Sequence, residues 1–285
     1  MNHELPLDRG TLHGHFSRDR EPVVTIDPGD SVSFAVPSST WRLDDRSLFE
    51  PRSSPEDDGH ALAGPVEVRG AREGATLAVH VDDVVPGPWG DTFVEPRHRV
   101  AWELADGVGV ATTGHRVALR PFLGVLGMPP VGHGVHSTIP PRRQGGNIDC
   151  KELVTGTTLY LPIPVDGALF SAGDGHAAQG DGELSGTAIE CPCRARLTLD
   201  LRDDLQLDWP CARIDGAWLT LGFGDDLGQA VTRATEGMIA LLGREHGVGP
   251  EDALALASVV VDVRVTQVVN GQVGAHAVLR DDAFL

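Results

Sequence analysis

Glycine and proline interrupt this chain at short intervals almost throughout, and that punctuation limits its fold more than any other feature. The 35 glycines and 20 prolines make up about 19% of the 285 residues, against roughly 12% in average usage. Both residues weaken helix interiors, glycine through entropy and proline through its missing donor. With no glycine period, such a chain is expected to build many short strands and tight turns. A mainly β, β-rich α+β protein with a few peripheral helices follows. We see no internal repeat and no clean linker, so residues 1–285 read as one domain.

The β-branched runs 23–26 and 31–36 flank the turn Asp27-Pro28-Gly29-Asp30. The segment 41–59 is charged and rich in proline and serine, and reads as a long loop, of the kind that is often functional. A short strand is expected over 64–70. In 76–85, Leu77, Val79 and Val81 alternate with Thr76, His80 and Asp82, the period of a half-buried strand. Loop is expected over 86–96, strand over 117–125, and aperiodic Gly/Pro/His-rich chain over 132–146. Turn and strand follow over 153–165. Strand is allowed over 183–190, where Glu183 and Glu190 would face opposite sides unless Gly186 marks a bulge. The clearest helix spans 227–242, with Leu227, Val231, Ala234, Met238 and Leu241 at three- and four-residue steps. Asp225 and Asp226 suit its start and Gly243 its end. A second helix is expected after Pro250, then strand over 259–269. No βαβ rhythm supports a Rossmann fold.

The formal net charge of −18 makes nucleic acid and anionic membrane poor partners. It leaves room for carboxylates that bind cations. No apolar run reaches the roughly 18 residues of a spanning helix, and residues 1–8 are polar rather than leader-like. A cytoplasmic location is the expectation. The four cysteines, Cys150, Cys191, Cys193 and Cys211, read as reduced and packed in so large a chain.

The densest polar block runs from Gln144-Gly145-Gly146-Asn147-Ile148-Asp149 through 173–183 to Glu190. Histidine and carboxylates among glycine turns suit a cation: imidazole with carboxylate suits zinc, and oxygens alone suit calcium. The spacing matches neither H-E-x-x-H, nor paired C-x-x-C, nor an EF-hand loop, and acidic glycine turns are more often plain solvated turns.

The string Gly145-Gly146-Asn147-Ile148-Asp149-Cys150-Lys151-Glu152-Leu153 resembles the G-G-N-x-D-x-K-[DE]-[LI] block of the acetamidase/formamidase family. The stretches 159–171, 173–183 and 186–190 continue that resemblance. So do His15-Phe16-Ser17-Arg18-Asp19 with Pro28-Gly29-Asp30, Gly64-Pro65 with 70–74, and 263–269. The resemblance implies an acetamidase/formamidase-like β-sandwich or barrel. It also implies hydrolysis of short aliphatic amides, such as formamide and acetamide, to carboxylate and ammonia with a divalent metal, zinc or calcium. Carried onto this chain, Asp149, His176 and Glu190 would hold the metal. Glu183 or Asp181 would carry a proton to the leaving nitrogen, and Asn147 would steady the oxyanion. Gln144 stands where the family commonly has histidine, with His133 and His136 as nearby substitutes. A small amide is the expected partner, and the prevalence of symmetric assemblies sets the expectation of a homodimer or larger homo-oligomer. A related amidohydrolase on another amide, or a binding protein that kept the fold, are the alternatives.

Other readings compete. Cys150, Lys151 and Glu152 invite a Cys–Lys–Glu amidase, but free cysteine is usually packing. Cys191-Pro192-Cys193 would need Cys150 and Cys211 to close a thiolate site. Ser171 and Ser185 near His176 invite a serine mechanism, but no G-x-S-x-G elbow is present. His60, His80, His98, His115, His246 and His276 read as surface or hydrogen-bonded histidines.

Overall fold

The computed structural model describes residues 1–50, 53–54, 56–94 and 98–285. Residues 51, 52 and 55 of the expected loop 41–59, and 95–96 of the expected loop 86–96, lie outside the described residues. Among the described residues the chain forms two large sheets and two helices. The mainly β expectation holds.

The first sheet is nine-stranded among the described residues. Near its middle, Thr76–Pro86 pairs antiparallel with Cys193–Arg202 from Thr76↔Arg202 to Pro86↔Cys193. Leu77, Val79 and Val81 point into the core with Leu197 and Leu199, as the alternation predicts. The opposite face is also partly covered, because Ala78, Tyr160, Leu205 and Cys211 form a cluster of their own. Val24–Ile26 and Asp30–Val36 flank a turn in which Gly29 takes φ 85°.

The second sheet is eleven-stranded among the described residues. Its inner strands Phe170–His176, Phe122–Gly127 and Leu62–Val68 share one apolar core with the first sheet, through Phe170, Ala172, Leu123 and Val66. Helix Leu227–His246 packs outside the first sheet, placing Ala234, Met238, Leu241 and Leu242 against Ala277 and Leu279.

Several boundaries differ from expectation, each for a visible reason. Within 86–96, Trp89–Val94 is a strand paired with His98–Ala105. Its Gly90 is demanded by close approach, since a Cβ there would lie 2.5 Å from Ile189 Cγ2 and 3.1 Å from the Glu190 carbonyl oxygen. The 117–125 segment divides into Arg116–Ala118 and Phe122–Gly127. The 183–190 segment is strand only at Glu190, which opens the strand Glu190–Cys191. Gly182, Glu183 and Gly186 take φ 94°, 46° and 84° and turn the chain instead, so the opposite-face objection to Glu183 and Glu190 falls away. The first helix runs through Gly243 and stops where Gly247 takes φ 66°, the left-handed end that glycine allows. Asp226 caps its start by accepting from Gln229 N at 2.8 Å. The second helix, Pro250–Val260, begins at the expected proline. In the expected loop 41–59, Trp41 is buried in the main core and donates its indole N–H to the Gly59 carbonyl at 2.8 Å.

Gly222 shows how closely helix and sheet pack. A Cβ there would lie 2.2 Å from the Ala230 carbonyl oxygen and 2.4 Å from Ala234 N. Gly222→Ala is expected to cost about 1–3 kcal/mol, the usual range for overpacking. Urea unfolding should show a lower midpoint at unchanged slope, and an unchanged midpoint would contradict this packing.

Candidate functional site

His176 ends the strand Phe170–His176 and is paired across the sheet with Glu190, one strand over. On the other side the strand runs antiparallel to Phe122–Gly127. The Phe122 ring meets the His176 ring edge-on at 5.0 Å, fixing its plane. Asp174 lies two residues before His176. Asp149 follows the Gly145–Asn147 strand, and its N–H donates to the Gly124 carbonyl at 3.2 Å.

These elements bury four carboxyl groups around one imidazole: Asp149, Asp174, Glu183 and Glu190 are each under 7% exposed, and His176 is 1% exposed. The Nε2 side of the ring faces Glu190 Oε1 at 3.1 Å and Asp174 Oδ2 at 3.3 Å. The Nδ1 side faces Gln179 Oε1 at 3.0 Å and Asp149 Oδ1 at 3.9 Å. Gln179 donates its amide to the Asp149 carbonyl at 2.7 Å. Its oxygen is therefore the acceptor toward His176, so Nδ1 carries the proton and Nε2 is left to the carboxylates.

The expected set of Asp149, His176 and Glu190 is thus distributed over two groupings that share the histidine. Asp149 stands with Glu183, and Glu190 stands with Asp174. Asp174 was not singled out from the sequence, although the Asp-x-His spacing in a strand was its signal. Asn270 was missed as well. It donates to Asp149 Oδ2 from far along the chain, and no local pattern could have found it. Gln179 sat inside the polar block without a role.

Asn147 is buried, with its side-chain oxygen lacking a hydrogen-bond partner. Asp181 is partly exposed and pairs with Lys151 at 3.1 Å. Gln144 is buried, and its carbonyl accepts from Met128 N at 3.3 Å. His133 is exposed and tied to Asp19 at 2.5 Å, and His136 bonds the Gly132 carbonyl at 2.9 Å. His60 bonds Thr138 Oγ1 at 2.9 Å, as a hydrogen-bonded histidine should, yet it also lies close enough to act on Asp174.

The rival chemistries find their side chains engaged elsewhere. Burial pushes the Cys150 thiol up to about 12, and Glu152 is held by Arg120 at 2.5 Å. All four cysteines are buried and free, and burial also pushes Cys193 and Cys211 up to about 12. Ser171 bonds His13 rather than His176, at 3.1 Å. Burial lowers that histidine to about 3. Ser185 donates to the Thr187 carbonyl at 3.1 Å.

The cluster is electrostatically unbalanced. Burial raises Asp149 well above the carboxylate range, and the Glu183 charge adds to that. Burial likewise raises Glu183 to about 7. Burial opposes ionisation of Asp174 too, but His176 and His60 overcome it and hold that group low. Burial alone would lower His176, yet Glu190 and Asp174 raise it well above its usual value. Buried charge of one sign is ordinarily paired or bound to metal.

Three observations test whether a cation fits. Asp149 Oδ1, Asp174 Oδ1 and Glu183 Oε2 are buried with no hydrogen-bond partner. Gly124 opens the space between them, for a Cβ there would lie 2.5 Å from Asp174 Oδ2, 2.6 Å from Asp149 Oδ1 and 2.8 Å from His176 Cε1. Lastly, Asp149, Asp174 and Glu183 hold left-handed φ values of 51°, 62° and 46°. Such angles are uncommon outside glycine and concentrate at functional sites. The donor set of imidazole and carboxylates fits a divalent cation.

The sequence model of the Acetamidase/Formamidase family matches residues 104–214. An acetamidase from Mycolicibacterium smegmatis is 35% identical over 111 residues, covering 35% of this chain and 27% of that protein. A formamidase from Methylophilus methylotrophus is 24% identical over 262 residues, covering 64% of this chain and 63% of that protein. The chain therefore spans less than two thirds of the length of these curated relatives. A solved acetamidase structure from Bacillus halodurans is 27% identical, with a TM-score of 0.86 over 98% of this chain and 97% of that one.

Gly124→Ala is expected to fill the space between the carboxylates and weaken divalent-cation binding at least tenfold, measured by metal analysis after dialysis against graded free zinc. Binding equal to that of the unaltered protein would place the cation elsewhere.

Proposed function

We propose that this chain, whose residues 104–214 match the Acetamidase/Formamidase family model, hydrolyses short linear amides to carboxylate and ammonia in a divalent-metal-dependent reaction. The observation that carries this reading is the buried imidazole of His176 between two carboxyl pairs, two of whose neighbours, Glu183 and Gln179, line a groove. A small amide in that groove would meet the cluster at Glu183.

Asp174, His176 through Nε2, and Glu190 would hold the cation. Bound there, it would acidify water and polarise the amide carbonyl. Zinc suits an imidazole–carboxylate set better than calcium does.

The remaining groups belong to the chain's own chemistry. Gln179 holds the Nδ1 proton of His176 and keeps the ring turned toward Asp174 and Glu190. Glu183 is the cluster carboxyl that lines the groove, so it is placed to take a proton from the attacking water and pass it to the departing nitrogen. That transfer matters because an amide anion is a very poor leaving group. Asp149, oriented by Asn270, supports Glu183 from behind. Asn147, buried with its side-chain oxygen unpartnered, would donate its side-chain amide to the oxyanion. Asp181, engaged with Lys151, is the weaker candidate for proton carriage.

Formamide, acetamide and propionamide should release ammonia with the zinc-loaded protein, and release should fall when the metal is stripped and return on adding zinc. No release together with no bound metal would overturn both the reaction and the site. Glu183→Gln should lower kcat about 10²–10⁴-fold, the usual worth of a general acid–base, while bound metal is retained. Asp174→Asn should lose metal and activity together. Full activity in Glu183→Gln would remove that residue from proton transfer.

A further inference from the structure

We propose that this site prefers amides carrying a branched apolar group over formamide and acetamide, and that the groove beside Glu183 is what selects them. The inference rests on the amidase reading above and names the substrate class within it.

The groove has a volume of about 540 Å³, within the range of roughly 300–1,000 Å³ typical of small-molecule sites. Formamide and acetamide would leave most of it to water. Its walls are mainly apolar, supplied by Trp102, Val117, Ala178, Leu184 and Ile189. Glu183 and Gln179 are among its polar lining residues, with Asp181, Ser185 and two threonines, and Gln179 is the residue that bonds both His176 and the Asp149 carbonyl. The groove therefore leads to the reacting cluster rather than standing apart from it. Its occupant is most economically a part of the substrate itself.

Two features make these walls a built surface. Trp102 is fixed, because its indole N–H donates to Thr92 Oγ1 at 3.0 Å and that hydroxyl donates to the Ala188 carbonyl at 2.7 Å. Glu183, at φ 46°, buries its carboxyl in the cluster, while its neighbour Leu184 stands 85% exposed on the rim. A solvated leucine next to a buried reacting group lacks cover of its own, and an apolar substituent in the groove would supply it. Burying apolar surface there stabilises the complex. Binding energy from a part of the substrate remote from the scissile bond can also serve the chemical step.

The groove can take the apolar group from either side of the amide, as a branched acyl chain or as an alkyl group on nitrogen. The test compares acetamide, isovaleramide and N-isobutylacetamide by kcat/KM on the zinc-loaded protein. Isovaleramide or N-isobutylacetamide should exceed acetamide by about tenfold or more, since one methylene in an apolar pocket is worth ~10–200-fold. Whichever bulky amide leads identifies the side that occupies the groove. Val117→Asp should cut the bulky-to-acetamide ratio at least fivefold. Leu184→Ser, at an exposed position that does not endanger folding, should cut it at least twofold. Acetamide as good as both bulky amides, or a ratio unchanged in both variants, would overturn the substrate preference while leaving the amidase reading standing. No hydrolysis of any of the three would overturn the amidase reading itself, and the preference with it.

Discussion

Everything at this site depends on an excess of buried carboxyl groups that one imidazole cannot balance. Four acids converge on His176, and all five side chains are withdrawn from water. Without a cation the cluster relieves its repulsion partly by keeping protons, as the raised Asp149 and Glu183 indicate. A protein gains little stability from such an arrangement, because desolvation of each ion competes with its pairing. The arrangement makes sense as a receptor for positive charge. On the proposed reading, the unpartnered oxygen of Asp174 is coordination capacity rather than a defect, and those of Asp149 and Glu183 belong to the proton-holding pair beside it.

The sheet supplies the rigidity that such a cluster needs. Asp174, His176 and Glu190 sit on two adjacent strands whose register sets His176 opposite Glu190, and Phe122 fixes the imidazole plane from the next strand. Close packing of the backbone is a precondition. Gly175 can accept no side chain, since a Cβ there would lie 2.7 Å from the Cys191 carbonyl oxygen and from Cys193 Sγ. That contact also accounts for the buried cysteines at 191 and 193, which behave as small packing residues behind the site.

The sequence disclosed what local periodicity can encode. The alternation of Leu77, Val79 and Val81, the helical spacing around Met238 and the proline that opens the second helix all appear where they were expected. It disclosed much of the candidate site too, because Asn147, Asp149, His176, Glu183 and Glu190 fall in short family-like blocks. It could not disclose which carboxyl stands with which. That pairing depends on strand register and on turns such as 182–186, where hydrophobic alternation carries no information. Asn270 reaches Asp149 only through the tertiary fold. The need for glycine at 124 is visible only once three side chains are seen to converge on the space its hydrogen occupies.

The left-handed angles at Asp149, Asp174 and Glu183 tie these points together. In ordinary turns glycine or asparagine would meet the same backbone need at lower cost, and this chain has glycine at many comparable positions. Three carboxyl residues instead occupy such angles within one cluster, each with an oxygen that no protein donor satisfies. Backbone strain and unsatisfied buried oxygens at the same residues both oppose folding, so neither explains the other. On the proposed reading, a cation held by Asp174, His176 and Glu190 would bring positive charge beside all three and offset part of that cost. It would do so only in the folded state, where binding free energy adds directly to stability. On the proposed function, the physical cost of this site is the folded chain's preparation for a cation, and the groove at Glu183 is the approach for the substrate.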